Sequence, residues 1–268
     1  MSRLFDLMHK SEPLASSDEA PEAPVERAEI LADARLVFHT DSRSVAADRY
    51  RFLRMRLREL ASAGKLKTVL ITSPLPHDGK STVSLNLATA LAEGGKKKVL
   101  VMEGDLHQPA LGNKLRLQVW PGLAECLEGK LDPQSAIRRV DPLNWYLLPA
   151  GGSRVNASEL LHSAALAEMM NKLSPHFDWI VIDSPPVLPL SDAISLTRCA
   201  DATLLVARAD HTVREAIEET IAIIGRQRIV GVVLNGVNSF DRTYSKYYKS
   251  YKSYYSSGQA QPEDKDNQ

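Results

Sequence analysis

The sequence predicts an α/β protein whose mainly parallel sheet is covered by helices on both faces. Two observations carry this. Apolar runs of four to six residues, most of them β-branched, recur along the chain, and they are too short for buried helices. Segments with helical periodicity lie between them, and strand alternating with helix is the pattern of a parallel sheet.

In chain order, the stretch from Ser11 to about Asp33 is rich in Ala, Pro, Ser and Glu. It has few large apolar residues to offset its ordering entropy, so residues 1–40 are expected to form a disordered acidic, Pro/Ala-rich lead. A helix is expected from Ser44 to Ala61, where Phe52, Leu53, Leu57 and Leu60 are interleaved with Arg49, Arg51, Arg54, Arg56 and Arg58. It reads as a solvated basic helix or one that binds acidic lipid. The buried strands are expected at Thr68–Thr72, Val99–Met102, Trp179–Ile182, Thr203–Val206 and Ile229–Leu234. Helices are expected at Ser81–Glu93, Ser158–Leu173, Ser191–Arg198 and Val213–Arg226. The region from Trp120 to Trp145 reads as packing around the core. The folded domain spans 41–240, and from 241 a polar, tyrosine-rich tail follows. Ligands of such sheets sit at the carboxyl ends of the strands.

Bulk properties narrow the function classes. The 33 basic and 33 acidic residues cancel, so no global field favours nucleic acid or an anionic membrane. Cys126 and Cys199 match no metal or disulfide spacing, which fits a reducing cytosol. No apolar run approaches the ~18 residues of a membrane span, and MSRLFDLMHKSEPL lacks the apolar segment of a signal peptide. A membrane role therefore requires a partner.

Three motifs carry chemistry. The first is TVLITSPLPHDGKSTVSLNLATALA from Thr68. A strand ends at Thr72, a turn runs from Ser73 to Asp78, and Gly79-Lys80-Ser81-Thr82 opens a helix. Backbone N–H groups of such a turn and helix start converge on a phosphate. Gly79 allows close approach, Lys80 reaches the β/γ-phosphates, and Ser81 holds Mg²⁺. The general pattern has glycine where this chain has Pro74. The second is Glu103-Gly104-Asp105 after a strand, which is a carboxylate pair at the same crevice or an ordinary acidic turn. The third is Asp183, at the end of a buried run beside the phosphate loop, where a carboxylate can hold Mg²⁺ directly or through water.

These motifs, in this order, resemble those of the bacterial tyrosine kinases of capsule and exopolysaccharide systems, over roughly Thr40 to the C-terminus. SPLPHDGKST from Ser73 is close to the family's phosphate loop. The resemblance implies a P-loop NTPase fold of the deviant Walker A branch, related to the partitioning ATPases. Those relatives carry an extra lysine at the position of Leu75, and its absence favours the kinase branch. By the same resemblance, Asp78, Gly79, Lys80, Ser81 and Thr82 bind nucleotide, and Asn235 contacts adenine. Glu103 and Asp105 stand at the paired A′ aspartates, with Glu103 as base toward the incoming tyrosine, and Asp183 is the Walker B aspartate. Lys80, Glu103, Asp105 and Asp183 are the catalytic set, and Ser81, Asp105 and Asp183 are the metal set. Glu replaces the usual Asp at position 103, and His107-Gln108 replaces the usual basic pair. Asp48, Arg51 and Arg54 match an oligomerisation motif, with Asp for Glu. ATP and Mg²⁺ are the implied cofactors. The implied partners are further copies in a ring, a separate integral-membrane activator of the chain-length-determinant type and a tyrosine phosphatase, but no nucleic acid. The implied location is the cytoplasm, at the inner face of the membrane.

The tail gives the kinase reading its substrate. Tyr244, Tyr247, Tyr248, Tyr251, Tyr254 and Tyr255 are six of the chain's eight tyrosines. Lys246, Lys249 and Lys252 between them also suit a segment that stacks on bases. Beside a phosphate loop, the substrate reading leads, an ATP-dependent tyrosine autokinase; the resemblance further implies that it acts in trans and regulates polysaccharide polymerisation and export. The rivals are a partitioning-type ATPase and a nucleotide-dependent scaffold.

Overall fold

The computed structural model describes residues 23–64 and 66–237. β1 (Val25–Arg27) and α1 (Val37–Thr40) precede the long helix α2 (Val45–Ala63). Ser44 caps α2 by accepting the Ala47 N–H. The chain continues through β2 (Thr68–Thr72), α3 (Lys80–Ala92), β3 (Val99–Glu103), α4 (Leu111–Leu115), α5 (Leu123–Leu127) and α6 (Pro133–Ala136). β4 (Arg138–Asp141), β5 (Trp145–Leu148), α7 (Ala157–His162), α8 (Ala164–Leu173) and β6 (Trp179–Asp183) follow. α9 (Asp192–Arg198), β7 (Ala202–Arg208), α10 (Arg214–Ile224) and β8 (Ile229–Asn235) complete the fold.

The strands form one sheet in the order β1-β4-β5-β3-β6-β2-β7-β8. Neighbours run parallel except β4 and β5. β2, β3 and β6 are buried at every position, as near-continuous apolar runs require. Successive side chains feed opposite faces. Val69, Ile71, Val101 and Val181 pack with Leu85 and Leu87 of α3 and Leu57 of α2. Leu70, Leu100, Met102 and Ile182 pack with Leu161, Leu166 and Met170 of α7 and α8. Each fully buried Leu or Ile contributes roughly 1.5–3 kcal/mol.

Several expectations are corrected. The lead is structured from residue 23: β1 pairs with β4 from Val25↔Arg139 to Arg27↔Asp141. Ala28, Ala34 and Leu36 are buried there, and this small apolar set does not stand out against the surrounding composition. Residues 1–22 lie outside the described residues. The helix expected at Ser158–Leu173 is two helices, because Ser163 is extended (φ −74°, ψ 157°) and its hydroxyl donates to Leu160 O. β4 and β5 fall where only packing was expected. Trp145 does pack in the core, donating to Thr89 Oγ1 at 3.2 Å, but Trp120 is exposed. β8 is an edge strand, and among the described residues its Val230, Val232 and Leu234 are exposed. Among the described residues no helix is long and apolar enough to cross a membrane.

Candidate active site

The parallel pairing of β2, β3, β6 and β7 brings their carboxyl ends to one edge. The turn from Ser73 to Asp78 leaves β2 there and is held from several sides. Asp78 is fully buried; its Oδ2 accepts Leu75 N–H at 3.1 Å, and its Oδ1 accepts the Thr212 hydroxyl at 2.6 Å and lies 3.1 Å from His211 Nδ1. The Asn235 side-chain amide donates to Asp78 O at 2.9 Å, and Arg208 donates to His77 O at 3.3 Å. The ends of β7 and β8 therefore clamp the loop. Gly79 has φ +94°, and a Cβ on it would collide with Asn235 Nδ2. α3 starts immediately after, and its first backbone N–H groups have no acceptor within the helix, which makes this end an anion seat.

Lys80, Asp105 and Asp183 converge. Lys80 Nζ lies 3.0 Å from Asp105 Oδ2, with side-chain exposures of 14% and 4%. Burial lowers the Lys80 pKa, but the charges of Asp183 and Asp105 outweigh it and hold the ammonium above its usual range. Asp183 Oδ1 accepts the Ser84 hydroxyl at 3.0 Å, and Ser81 also hydrogen-bonds this carboxylate. Burial raises the Asp183 pKa against the lowering by Lys80 and the two hydroxyls. Asp105 Oδ1 accepts Gln108 N–H at 2.9 Å. Thr82, on the first turn of α3, is half-buried.

The donor set fits Mg²⁺. Ser81, Asp105 and Asp183 offer hard oxygens beside the phosphate seat, and Mg²⁺ takes few protein ligands, completing its shell with water and substrate phosphates. Among the described residues no group of three or more His, Cys, Asp or Glu is placed to hold a metal ion by itself.

Glu103 is placed differently from the base the resemblance implies. It lies beside Asp183 in the sheet register with no exposed surface. Oε1 accepts Ala110 N–H at 2.6 Å and Leu111 N–H at 2.5 Å; Oε2 accepts Ala150 N–H at 3.1 Å. Burial pushes its pKa up to about 7 despite these donors. His107 Nε2 lies 2.9 Å from Asp192 Oδ2, tying the loop after β3 to α9. Asp48 and Arg51 pair within α2 at 2.8 Å, Arg51 also stacks over Phe38 at 5.3 Å, and Arg54 donates to Ala90 O. The tail tyrosines lie outside the described residues.

The clamp residues Arg208, His211 and Thr212, together with Ser84, escaped the sequence reading. Arg208, His211 and Thr212 do follow an apolar run at the carboxyl edge, where site residues of such sheets collect. Ser84, one turn after Lys80, has no comparable signal.

The chain matches the AAA domain family over residues 77–229. It is 32% identical over 209 residues to the tyrosine-protein kinase ptk of Acinetobacter johnsonii, a match covering 77% of this chain and 28% of that protein. Thus the chain spans little more than a quarter of that relative's length. It is 30% identical to the tyrosine-protein kinase CpsD of Streptococcus pneumoniae serotype 4, covering 69% of this chain and 82% of that one. Among solved structures it resembles the kinase domain of the Escherichia coli tyrosine kinase ETK, with TM-score 0.73, 26% identity and coverage of 76% and 81%. It also resembles the septum site-determining protein MinD of Pyrococcus horikoshii bound to Mg-ADP, with TM-score 0.55, 25% identity and coverage of 65% and 72%. The fold is thus that of a P-loop NTPase of the MinD-related branch, and the chain belongs to the bacterial tyrosine-protein kinase family of capsule and exopolysaccharide systems.

Proposed function

We propose that the chain is an ATP-dependent protein-tyrosine kinase that phosphorylates its own C-terminal tyrosines, Tyr244 to Tyr255, in trans between copies. The observation that carries this is the convergence of Lys80, Asp105 and Asp183 beside the clamped phosphate loop. The phenolic oxygen of tyrosine forms a bond to the γ-phosphorus, the bond to the bridging oxygen breaks, ADP leaves, and the phenolic proton passes to a crevice carboxylate or water. Lys80 neutralises charge on the transferring group, and the loop amides orient the phosphates. Ser81, Asp105 and Asp183 would hold Mg²⁺, whose charge offsets that of the phosphates when bound. Asn235, already over Gly79, borders the nucleotide seat where adenine contact is expected.

The biological reading is regulation of the polymerisation or export of a surface polysaccharide. Its partners are copies of the chain in a ring formed through Asp48, Arg51 and Arg54, an integral-membrane activator that recruits the kinase to the inner face of the membrane, and a tyrosine phosphatase. A folded unit that begins by residue 23, preceded by a lead and followed by a substrate tail, is part of this reading.

Intact mass after incubation with Mg²⁺ and ATP tests it, beside Lys80→Met and a truncation before Tyr244. Additions of about 80 Da confined to the tail and absent from Lys80→Met are expected. No additions, even with the cytosolic segment of a membrane activator present, would refute the kinase. Phosphate release would then mark a partitioning-type ATPase, and ATP binding without turnover a scaffold.

A further inference from the structure

Glu103 is one of the positions where this sequence departs from the pattern it resembles, and its surroundings give it another task. A general base needs a lone pair within reach of the substrate proton. Both lone pairs of Oε1 are taken by Ala110 and Leu111 N–H, and Oε2 accepts Ala150 N–H. The residue has no exposed surface through which a phenol could reach what remains.

The three donors come from two segments. Ala110 and Leu111 stand where the loop after β3 enters α4, and Ala150 follows β5. Asp105 lies on the loop so closed. Its entry is fixed by Gly104 N–H donating to Asp183 O at 2.7 Å, and its middle by Gln108 N–H donating to Asp105 Oδ1 at 2.9 Å. Gly104 allows no larger residue without disturbance, since a Cβ would sit 3.1 Å from Asp183 O and 2.9 Å from Leu196 Cδ1. The loop is therefore held at its entry, its middle and, through Glu103, its exit. The result is the 3.0 Å contact of Asp105 with Lys80. An aspartate at 103 would be one carbon shorter, about 1.5 Å of reach. Its oxygens could not hold both segments within hydrogen-bonding distance.

We propose that Glu103 is a positioning residue: its carboxyl group clasps residues 110–111 and 150 and thereby presents Asp105 to Lys80 and the phosphates, instead of accepting the tyrosine proton. This rests on the phosphoryl-transfer reading above for its effect on activity, while the clasp itself is a matter of geometry.

Glu103→Asp and Glu103→Gln in the full chain separate the two roles because they predict opposite orders. For a base, aspartate is the family's own residue and keeps activity, whereas glutamine loses about 100-fold or more. For the clasp, the glutamine carbonyl still accepts the Ala110 and Leu111 N–H groups, so Glu103→Gln keeps tail phosphorylation within about tenfold. Glu103→Asp falls further than Glu103→Gln. The second readout is amide hydrogen exchange at positions 110, 111 and 150 without nucleotide. The clasp predicts lost protection at all three in Glu103→Asp, and at 150 alone in Glu103→Gln. Greater activity of Glu103→Asp than of Glu103→Gln, or undiminished protection at 110 and 111 in Glu103→Asp, would overturn the proposal. If the parent chain makes no phosphotyrosine, the kinase reading fails, and exchange still judges the clasp.

Discussion

Gly79→Ala and Asn235→Ala form a double-mutant cycle that reads the seat of the nucleotide loop directly. Gly79 adopts φ +94°, where an L side chain costs about 1 kcal/mol. The new Cβ would also strike Asn235 Nδ2 and displace the hydrogen bond from that amide to Asp78 O. Losing that bond costs about 1 kcal/mol more. Gly79→Ala should therefore destabilise the protein by about 2 kcal/mol and Asn235→Ala by about 1 kcal/mol. In the double variant the obstacle is gone and the bond is lost once, so the total stays near 2 kcal/mol and the coupling is about 1 kcal/mol. Urea unfolding, followed through the fluorescence of buried Trp145 and Trp179, measures all three midpoints. A fluorescent ATP analogue, titrated in parallel, should bind Gly79→Ala more weakly because the loop amides shift. Additivity of the two substitutions within about 0.3 kcal/mol would refute the close approach of Asn235 to the loop.

Trp145→Phe removes the donor to Thr89 Oγ1 and should cost about 1 kcal/mol, whereas Trp145→Ala, at a site with no exposed surface, should cost about 3–5 kcal/mol in the same urea assay. Burial first, and then the neighbouring Glu125 and Asp132 charges, push the Cys126 thiol up to about 12. At pH 8 its thiolate fraction is then about one in ten thousand, so a thiol reagent should label it only with unfolding, and fast labelling of native protein would contradict the burial. Phosphorylation of all six tail tyrosines would add about −9 to −12 charges to a segment, Arg242 to Tyr255, that carries four basic residues and no acid. Size measurement should show the phosphorylated oligomer dissociating, and an unchanged size would contradict this electrostatic release.

The parts of the fold that were legible share one property: their burial is written in consecutive residues. TVLIT, VLVM and WIVI are apolar throughout because both faces of their strands are covered, and each lies where expected. The strand, turn and helix start that carry Gly79, Lys80 and Ser81 were legible for a similar reason, since they are consecutive in the chain. β4 was not, because its burial alternates and Arg138 is itself buried, with its guanidinium on the carbonyls of Gln118 and Trp120. β1 has only three residues and joins the sheet through a partner more than a hundred positions away.

Asp105 and Asp183 follow the same division. Sequence by itself put both after apolar runs, Asp183 beside the phosphate loop and Asp105 either at the same crevice or on an ordinary acidic turn. Only the tertiary structure decided which way the Glu103 carboxylate turns. Its donors at 110, 111 and 150 lie seven, eight and 47 residues away, and no local pattern says whether a carboxylate at a strand end opens to substrate or turns inward. The same holds for the clamp on Asp78, since His211 and Thr212 are 133 and 134 residues distant. Strand and loop identities come from short-range periodicity and backbone geometry. Which polar groups meet in the crevice is set by the sheet order, which brings the ends of β3, β6, β2, β7 and β8 side by side.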